Sequence, residues 1–155
     1  MYTDTVTTAD RQLYMLDPTT PSLGLVHTYS SFQDSPTLDI LPVTPTHLLI
    51  ASMSGKLTLF DTVNSEVLSE RKDHSKYLVK LSTCYTGNNT MLVASAGWDA
   101  NIFLYQLDVS AEKPQLGKPI ATLALPSIPE TTVFARLPGD GLPVLLVARR
   151  DSTFL

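Results

Sequence analysis

Three histidines are present, His27, His47 and His74, and only one of them stands in company that could do chemistry. His74 is followed by Ser95 and Asp99, and a serine, a histidine and an acid are the side-chain types that acyl-transfer enzymes use as nucleophile, base and orienting group. His27 lies in a strand-like run and His47 in a Pro/Thr-rich turn, neither with a second histidine or carboxylate at ligand spacing, so no metal site is expected. Cys84 is the one cysteine, which excludes an internal disulfide and a cysteine-based metal site built from this chain alone. Pro138-Gly139-Asp140-Gly141 reads as a turn and not as a phosphate cradle. No cofactor is therefore expected. The single tryptophan, Trp98, stands directly before Asp99, and aromatic residues and arginines are the usual anchors of protein interfaces. Glu70 to Lys76 is a mixed-charge stretch of the kind that forms a solvated loop.

The elements that must carry these residues are strands. Nowhere do apolar residues recur at helical spacing over a dozen positions, and the 11 prolines and 7 glycines are spread along the length. Short runs rich in Val, Leu, Ile, Thr, Tyr and Phe, bounded by turn residues, predict strands over 12–16, 23–28, 38–43, 48–53, 57–61, 67–70, 78–82, 91–96, 102–107, 120–125, 132–137 and 144–148. So many strands in 155 residues require tight turns and an antiparallel meander. Asn88-Asn89-Thr90 matches a glycosylation acceptor but reads as a polar turn.

Composition sets the broad class. With 43% hydrophobic and 17% charged residues the chain is globular, and its net charge of -4 offers no field to draw in a nucleic acid or an anionic membrane. The first residues lack the basic and apolar pattern of a secretory signal, and no apolar run approaches the roughly 18 residues of a membrane span. An intracellular chain, cytoplasmic or nuclear, is expected.

The strands repeat as a group. Ile50 to Asp61 and Val93 to Gln106 match in their ends and apolar positions, and the same shape returns at Asp10 to Asp17 and at Val147 to Leu155. The turn positions Asp10, Ser54, Asp99 and Asp151 recur about 45 residues apart, with a longer last step that the Pro/Gly-rich stretches 109–117 and 137–143 account for. Strands such as Leu48-Leu49-Ile50-Ala51 and Leu145-Leu146-Val147-Ala148 are apolar at successive positions, as a sheet covered on both faces requires.

On these residues the sequence resembles the WD-repeat family. Asp73-His74 stands for the Gly-His pair, 79–82 and 92–95 for the first two strands, Trp98-Asp99 for the turn and 102–106 for the closing strand. The resemblance implies an all-β fold, a partial β-propeller of four-stranded antiparallel blades. It implies a single unit over 1–155, with approximate repeats 1–35, 36–73, 74–118 and 119–155, the first and last incomplete. It also implies that His74, Ser95, Asp99 and Tyr105 form a buried hydrogen-bond network at a blade corner, with Tyr105 in the place of the family's tryptophan. In the first two repeats Leu16 and Phe60 hold that place, Ser54 replaces the turn acid, and packing with backbone ladders is expected to do the work of the network.

The implied function is a non-catalytic scaffold whose rim presents Trp98, Arg150, Met53, Tyr77 and Lys76 to other proteins or peptides. A propeller-type hydrolase is the alternative from another class, although Asp39 and Lys80 are the only charged groups that the innermost strands offer. Because both ends cut through blades, a fragment or a truncated remnant without independent function is a further expectation, and its open edges invite self-association.

Overall fold

The computed structural model describes residues 11–30, 33–139 and 141–151, and the backbone of 4–7. Asp10 and the end of the last repeat, Ser152 to Leu155, lie outside the described residues. The strands are β1 (Asp4–Thr7), β2 (Leu13–Asp17), β3 (Gly24–Tyr29), β4 (Thr37–Pro42), β5 (His47–Ser52), β6 (Leu57–Asp61), β7 (Glu66–Arg71), β8 (Leu78–Gly87), β9 (Thr90–Gly97), β10 (Asn101–Asp108), β11 (Ala121–Ala124), β12 (Pro129–Arg136) and β13 (Pro143–Arg149). Each of the twelve expected strands is present. β1 was not foreseen: Asp4-Thr5-Val6-Thr7 has one large apolar residue, and pairing with β2, not local pattern, makes it a strand. β8 runs past the expected Ser82 because Asn88 and Asn89, both at positive φ, close a two-residue hairpin turn to β9.

Antiparallel pairing groups the strands into four sheets: β1-β2-β3 (sheet I), β4-β5-β6-β7 (sheet II), β8-β9-β10-β11 (sheet III) and β12-β13 (sheet IV). Sheets and sequence repeats divide the chain differently, since β11 lies in the stretch 119–155 yet is hydrogen-bonded to β10 of sheet III.

The sheets stack through three apolar cores, and side-chain alternation explains how one strand serves two of them. Leu48 and Ile50 of β5 pack with Leu13, Tyr29 and Phe60 between sheets I and II. Leu49 and Ala51 of the same strand turn the other way and join Leu57, Leu59, Leu81, Val93, Tyr105 and Leu107 between sheets II and III. Val93 of β9 faces sheet II, while Ala94 and Ala96 meet Val147 of sheet IV. Hydroxyl bonds cross the same interfaces: Tyr29 donates to the Thr62 carbonyl at 2.7 Å, and Ser82 and Thr132 are 2.7 Å apart.

Leu59 is completely buried between sheets II and III. Leu59→Ala is expected to lower unfolding free energy by about 2–5 kcal/mol, whereas Val63→Ala, in the exposed β6–β7 turn, is expected to change it by less than about 0.5 kcal/mol; urea unfolding of both variants measures the contrast.

Candidate functional site

The chemically equipped residues converge at one corner of sheet III, on its face toward sheet II. His74, in the loop before β8, is buried, and its Nδ1 lies 2.9 Å from Asp99 Oδ1 while its Nε2 lies 2.8 Å from Ser95 Oγ. A carboxylate only accepts, so Nδ1 carries the proton toward Asp99. Asp99 also accepts the backbone N–H groups of Ser75 (2.9 Å) and Asn101 (3.2 Å), which ties the loop to the β9–β10 turn. The ring of His74 meets Phe103 edge to face at 4.7 Å.

The phenol of Tyr105 adds a second group of partners beside this arrangement. Its hydroxyl donates to Asp73 Oδ2 at 3.0 Å, and Asp73 in turn receives two hydrogen bonds from the Arg71 guanidinium, at 3.0 and 2.6 Å. The acid beside His74, where the related pattern has glycine, thus serves the tyrosine that stands where the pattern has tryptophan. Arg71 and Asp73 are not part of a merely solvated loop, as the charge pattern of 70–76 suggested; they are the outer end of a chain that runs Arg71, Asp73, Tyr105, with Ser95, His74 and Asp99 beyond. Burial pushes the Tyr105 phenol up, partly opposed by the neighbouring Ser95 hydroxyl and reinforced by the nearby Asp73 charge. Burial also works against ionising Asp99 and Asp73. For Asp99 the His74 hydrogen bond and backbone donors outweigh it, and for Asp73 the bonds from Arg71 and Tyr105 do, so both carboxyls are held below their ordinary range.

Two glycines make this corner possible, and sequence reading passed over both. A Cβ on Gly97 would lie 2.3 Å from His74 Nδ1 and 2.8 Å from Asp99 Oδ1. Gly55, at φ +83°, faces the carbonyls of Lys76 and His74, which a Cβ would approach to 2.5 and 2.7 Å. The turn of sheet II that carries Met53 therefore rests directly on the loop of sheet III that carries Lys76.

A row of side chains follows along the same rim. Trp98 is 38% exposed, and its ring lies tilted by 32° on that of Tyr77, with centroids 5.1 Å apart. From sheet IV the guanidinium of Arg150 sits over the indole at 5.3 Å and pairs with Glu130. Backbone bonds hold the pair in place, Trp98 N to Tyr77 O and Arg150 N to Ile128 O, both at 2.9 Å. Tyr77, Trp98 and Arg150 are thus brought into contact; Lys76 is exposed beside Tyr77, and the half-buried Met53 stands on the adjoining turn of sheet II.

The other residues singled out from sequence have local partners. Lys80 and Asp39 form an ion pair at 3.1 Å between β8 and β4, and Asp39 also accepts the Leu81 N–H at 2.8 Å. His47 bonds to Thr44 in its own turn, at 2.7 Å, and the ring of His27 meets that of Tyr29 edge to face. Among the described residues no three His, Cys, Asp or Glu side chains cluster to hold a metal ion, and no helix is long and apolar enough to cross a membrane. The corner of sheet II corrects one expectation, since packing and ladders are not its only supports. Ser54 hydrogen-bonds Ser52 at 2.8 Å and Asp34 at 3.0 Å, and Lys56 bridges Asp34 and Glu70.

No family model and no curated protein sequence matches the chain. Among solved structures it is similar to the crystal structure of the WD40 β-propeller domain of Doa1, with a TM-score of 0.76 at 16% sequence identity, over 98% of this chain and 45% of that one. The fold is accordingly that of an open, partial β-propeller of the WD40 kind, and the chain spans less than half the length of the structure it matches.

Gly97→Ala is expected to displace His74 from Asp99 and lower stability by about 2–3 kcal/mol, read by thermal or urea unfolding. Tyr105→Phe leaves Asp73 with Arg71 alone and is expected to cost about 1–2 kcal/mol in the same assay. The lowered carboxyls also set a pH dependence. Their contribution is fully present above the ordinary aspartate value of about 3.9 and is lost as pH falls through the lower folded values. Wild type is therefore expected to lose stability more steeply than Asp99→Asn on acidification from pH 5 to pH 2; equal slopes would mean that Asp99 is not coupled to folding.

Proposed function

We propose that this chain is a non-catalytic interaction module that binds a protein or peptide partner on the rim carrying Trp98, Tyr77, Arg150, Lys76 and Met53. The carrying observation is the Tyr77–Trp98–Arg150 stack: a partly exposed indole is backed by a second ring and flanked by a guanidinium, so it is ordered before any partner arrives. Preorganised aromatic and arginine side chains lose little freedom on binding and so make effective anchors. The open propeller supports a scaffold in general, because such folds present loops from neighbouring sheets on one continuous rim.

A scaffold reading also accounts for the residues that a hydrolase would need. Ser95, His74 and Asp99 are engaged with one another inside the corner, and Ser95 has no exposed surface from which to attack a substrate. Asp39 and Lys80, the charged residues of the innermost strands, are paired across β4 and β8. In this reading residues 1–155 act as one partial propeller with repeats 1–35, 36–73, 74–118 and 119–155, and work in the cytoplasm or nucleus, where a lone free thiol such as Cys84 stays reduced.

Selection from a displayed peptide library tests the proposal. Wild type is expected to enrich a family of peptides whose affinity falls at least about thirty-fold for Trp98→Ala, the loss typical of an interface anchor, and stays unchanged for Val63→Ala on the opposite rim. Enriched peptides that bind a folded Trp98→Ala chain equally well would place the binding surface elsewhere.

A further inference from the structure

The sign of charge that the rim can accept is decided by which of its ionised groups are already engaged. Each described acid on this rim has a partner. Asp34 and Glu70 share Lys56, and Asp73 takes the Arg71 guanidinium and the Tyr105 hydroxyl. Asp99 is held by His74, Glu130 by Arg150 and Asp151 by Arg149. Two cations in the loop that leads to Tyr77 differ: Lys72 and Lys76 are exposed and pair with no acid among the described residues. A basic partner would therefore have to break an existing pair, whereas an acidic one meets charges that are free. An exposed ion pair contributes little even when nothing is lost in making it, so this difference decides the sign. The one surplus of acid, two carboxylates on Lys56, belongs to the neighbouring corner of sheet II.

The guanidinium of Arg150 adds shape to this charge. It lies over the Trp98 indole and donates through Nε to Glu130, while its terminal NH2 groups have no hydrogen-bond partner among the described residues. Held by a ring on one side and a carboxylate on one edge, it presents the remaining N–H groups in a set orientation, and such an edge matches the two oxygens of a carboxylate. We propose that the partner bound at this rim is an acidic peptide, with an Asp or Glu side chain reaching Arg150 and Lys76 while an apolar residue covers the exposed parts of Tyr77 and Trp98. The proposal rests on the rim reading above and adds the partner's chemistry to it. The chain as a whole carries a net charge of -4, so capture of the acid is a local effect. At physiological salt, exposed charges beyond a screening length of about 8 Å add little, and the free cations beside the stack dominate. Glu130 sets a limit on this capture, because its carboxylate occupies one edge of the guanidinium and repels an incoming acid.

The displayed peptides that the wild-type chain enriches provide the test, together with synthetic pairs in which every Asp and Glu is exchanged for Asn and Gln. Enriched sequences are expected to carry an Asp or Glu within a few positions of an aromatic or aliphatic residue. The amide form is expected to bind wild type about ten-fold more weakly, the loss of one charge-assisted hydrogen-bonded pair. Lys76→Glu is expected to weaken the acidic form by about the same factor and to leave the amide form within about two-fold. Glu130→Gln is expected to tighten the acidic form about two- to five-fold. Both positions are exposed, and circular dichroism checks that each variant keeps the wild-type strand signal; Lys76→Gln replaces Lys76→Glu should the latter not fold. Peptides that require Trp98 yet bind equally in acidic and amide form overturn the acidic partner and leave the rim reading standing, and so does enrichment of basic peptides. If no enriched peptide depends on Trp98, the rim reading fails and the acidic partner fails with it. Displacement of the acidic peptide by an equal concentration of oligothymidine of the same charge also overturns the proposal, since the rim then accepts polyanions at large.

Discussion

The rest of the structure depends on covering both faces of every inner sheet. A sheet with one wet face can alternate apolar and polar residues, but a sheet between two neighbours must be apolar on both. β5 shows the consequence directly, with Leu48 and Ile50 in one core and Leu49 and Ala51 in the next. Small residues are needed where sheets approach, as at Ala94 and Ala96 against sheet IV. Once both faces are apolar, few side-chain hydrogen bonds cross between sheets, Ser82 with Thr132 among them, and many of the polar side chains gather at the sheet ends.

The corner of sheet III is one answer to that demand. The Tyr105 hydroxyl donates to Asp73, and Asp73 also takes two hydrogen bonds from the Arg71 guanidinium. Removing any inner member leaves a buried partner unpaired, which is costlier than never having had the bond. Sheet II solves the same problem with different groups, Ser52, Ser54, Asp34 and Lys56, closer to solvent. The two corners meet at Gly55, where the absence of a Cβ lets one turn sit on the next loop.

That contact is also what makes the rim continuous. Loops that belong to separate sheets come within reach because the sheets beneath them are close-packed, so Tyr77, Trp98 and Arg150, from positions far apart in sequence, stack into one surface. Exposed surface and buried support are thus separate in this fold: the buried network holds the loop, and the exposed stack rides on it.

Much of this was legible in the residues alone. Strand-length runs bounded by turn residues, their recurrence, and apolar positions in succession determine an all-β stack of sheets covered on two faces, because alternation and turn chemistry are local properties of the chain. The His74, Ser95 and Asp99 grouping was legible through the resemblance of the third repeat to the WD-repeat pattern, since the other repeats lack it. Other features were decided only by tertiary structure. β1 is a strand because β2 offers it an edge. Gly97 and Gly55 are required by atoms 23 and about 20 positions away in the chain. The direction of the Tyr105 hydroxyl, the engagement of Arg71 and the approach of Arg150 to Trp98 depend on distances between side chains on different strands. Such distances are set by how whole sheets pack, and no local pattern of residue types encodes them.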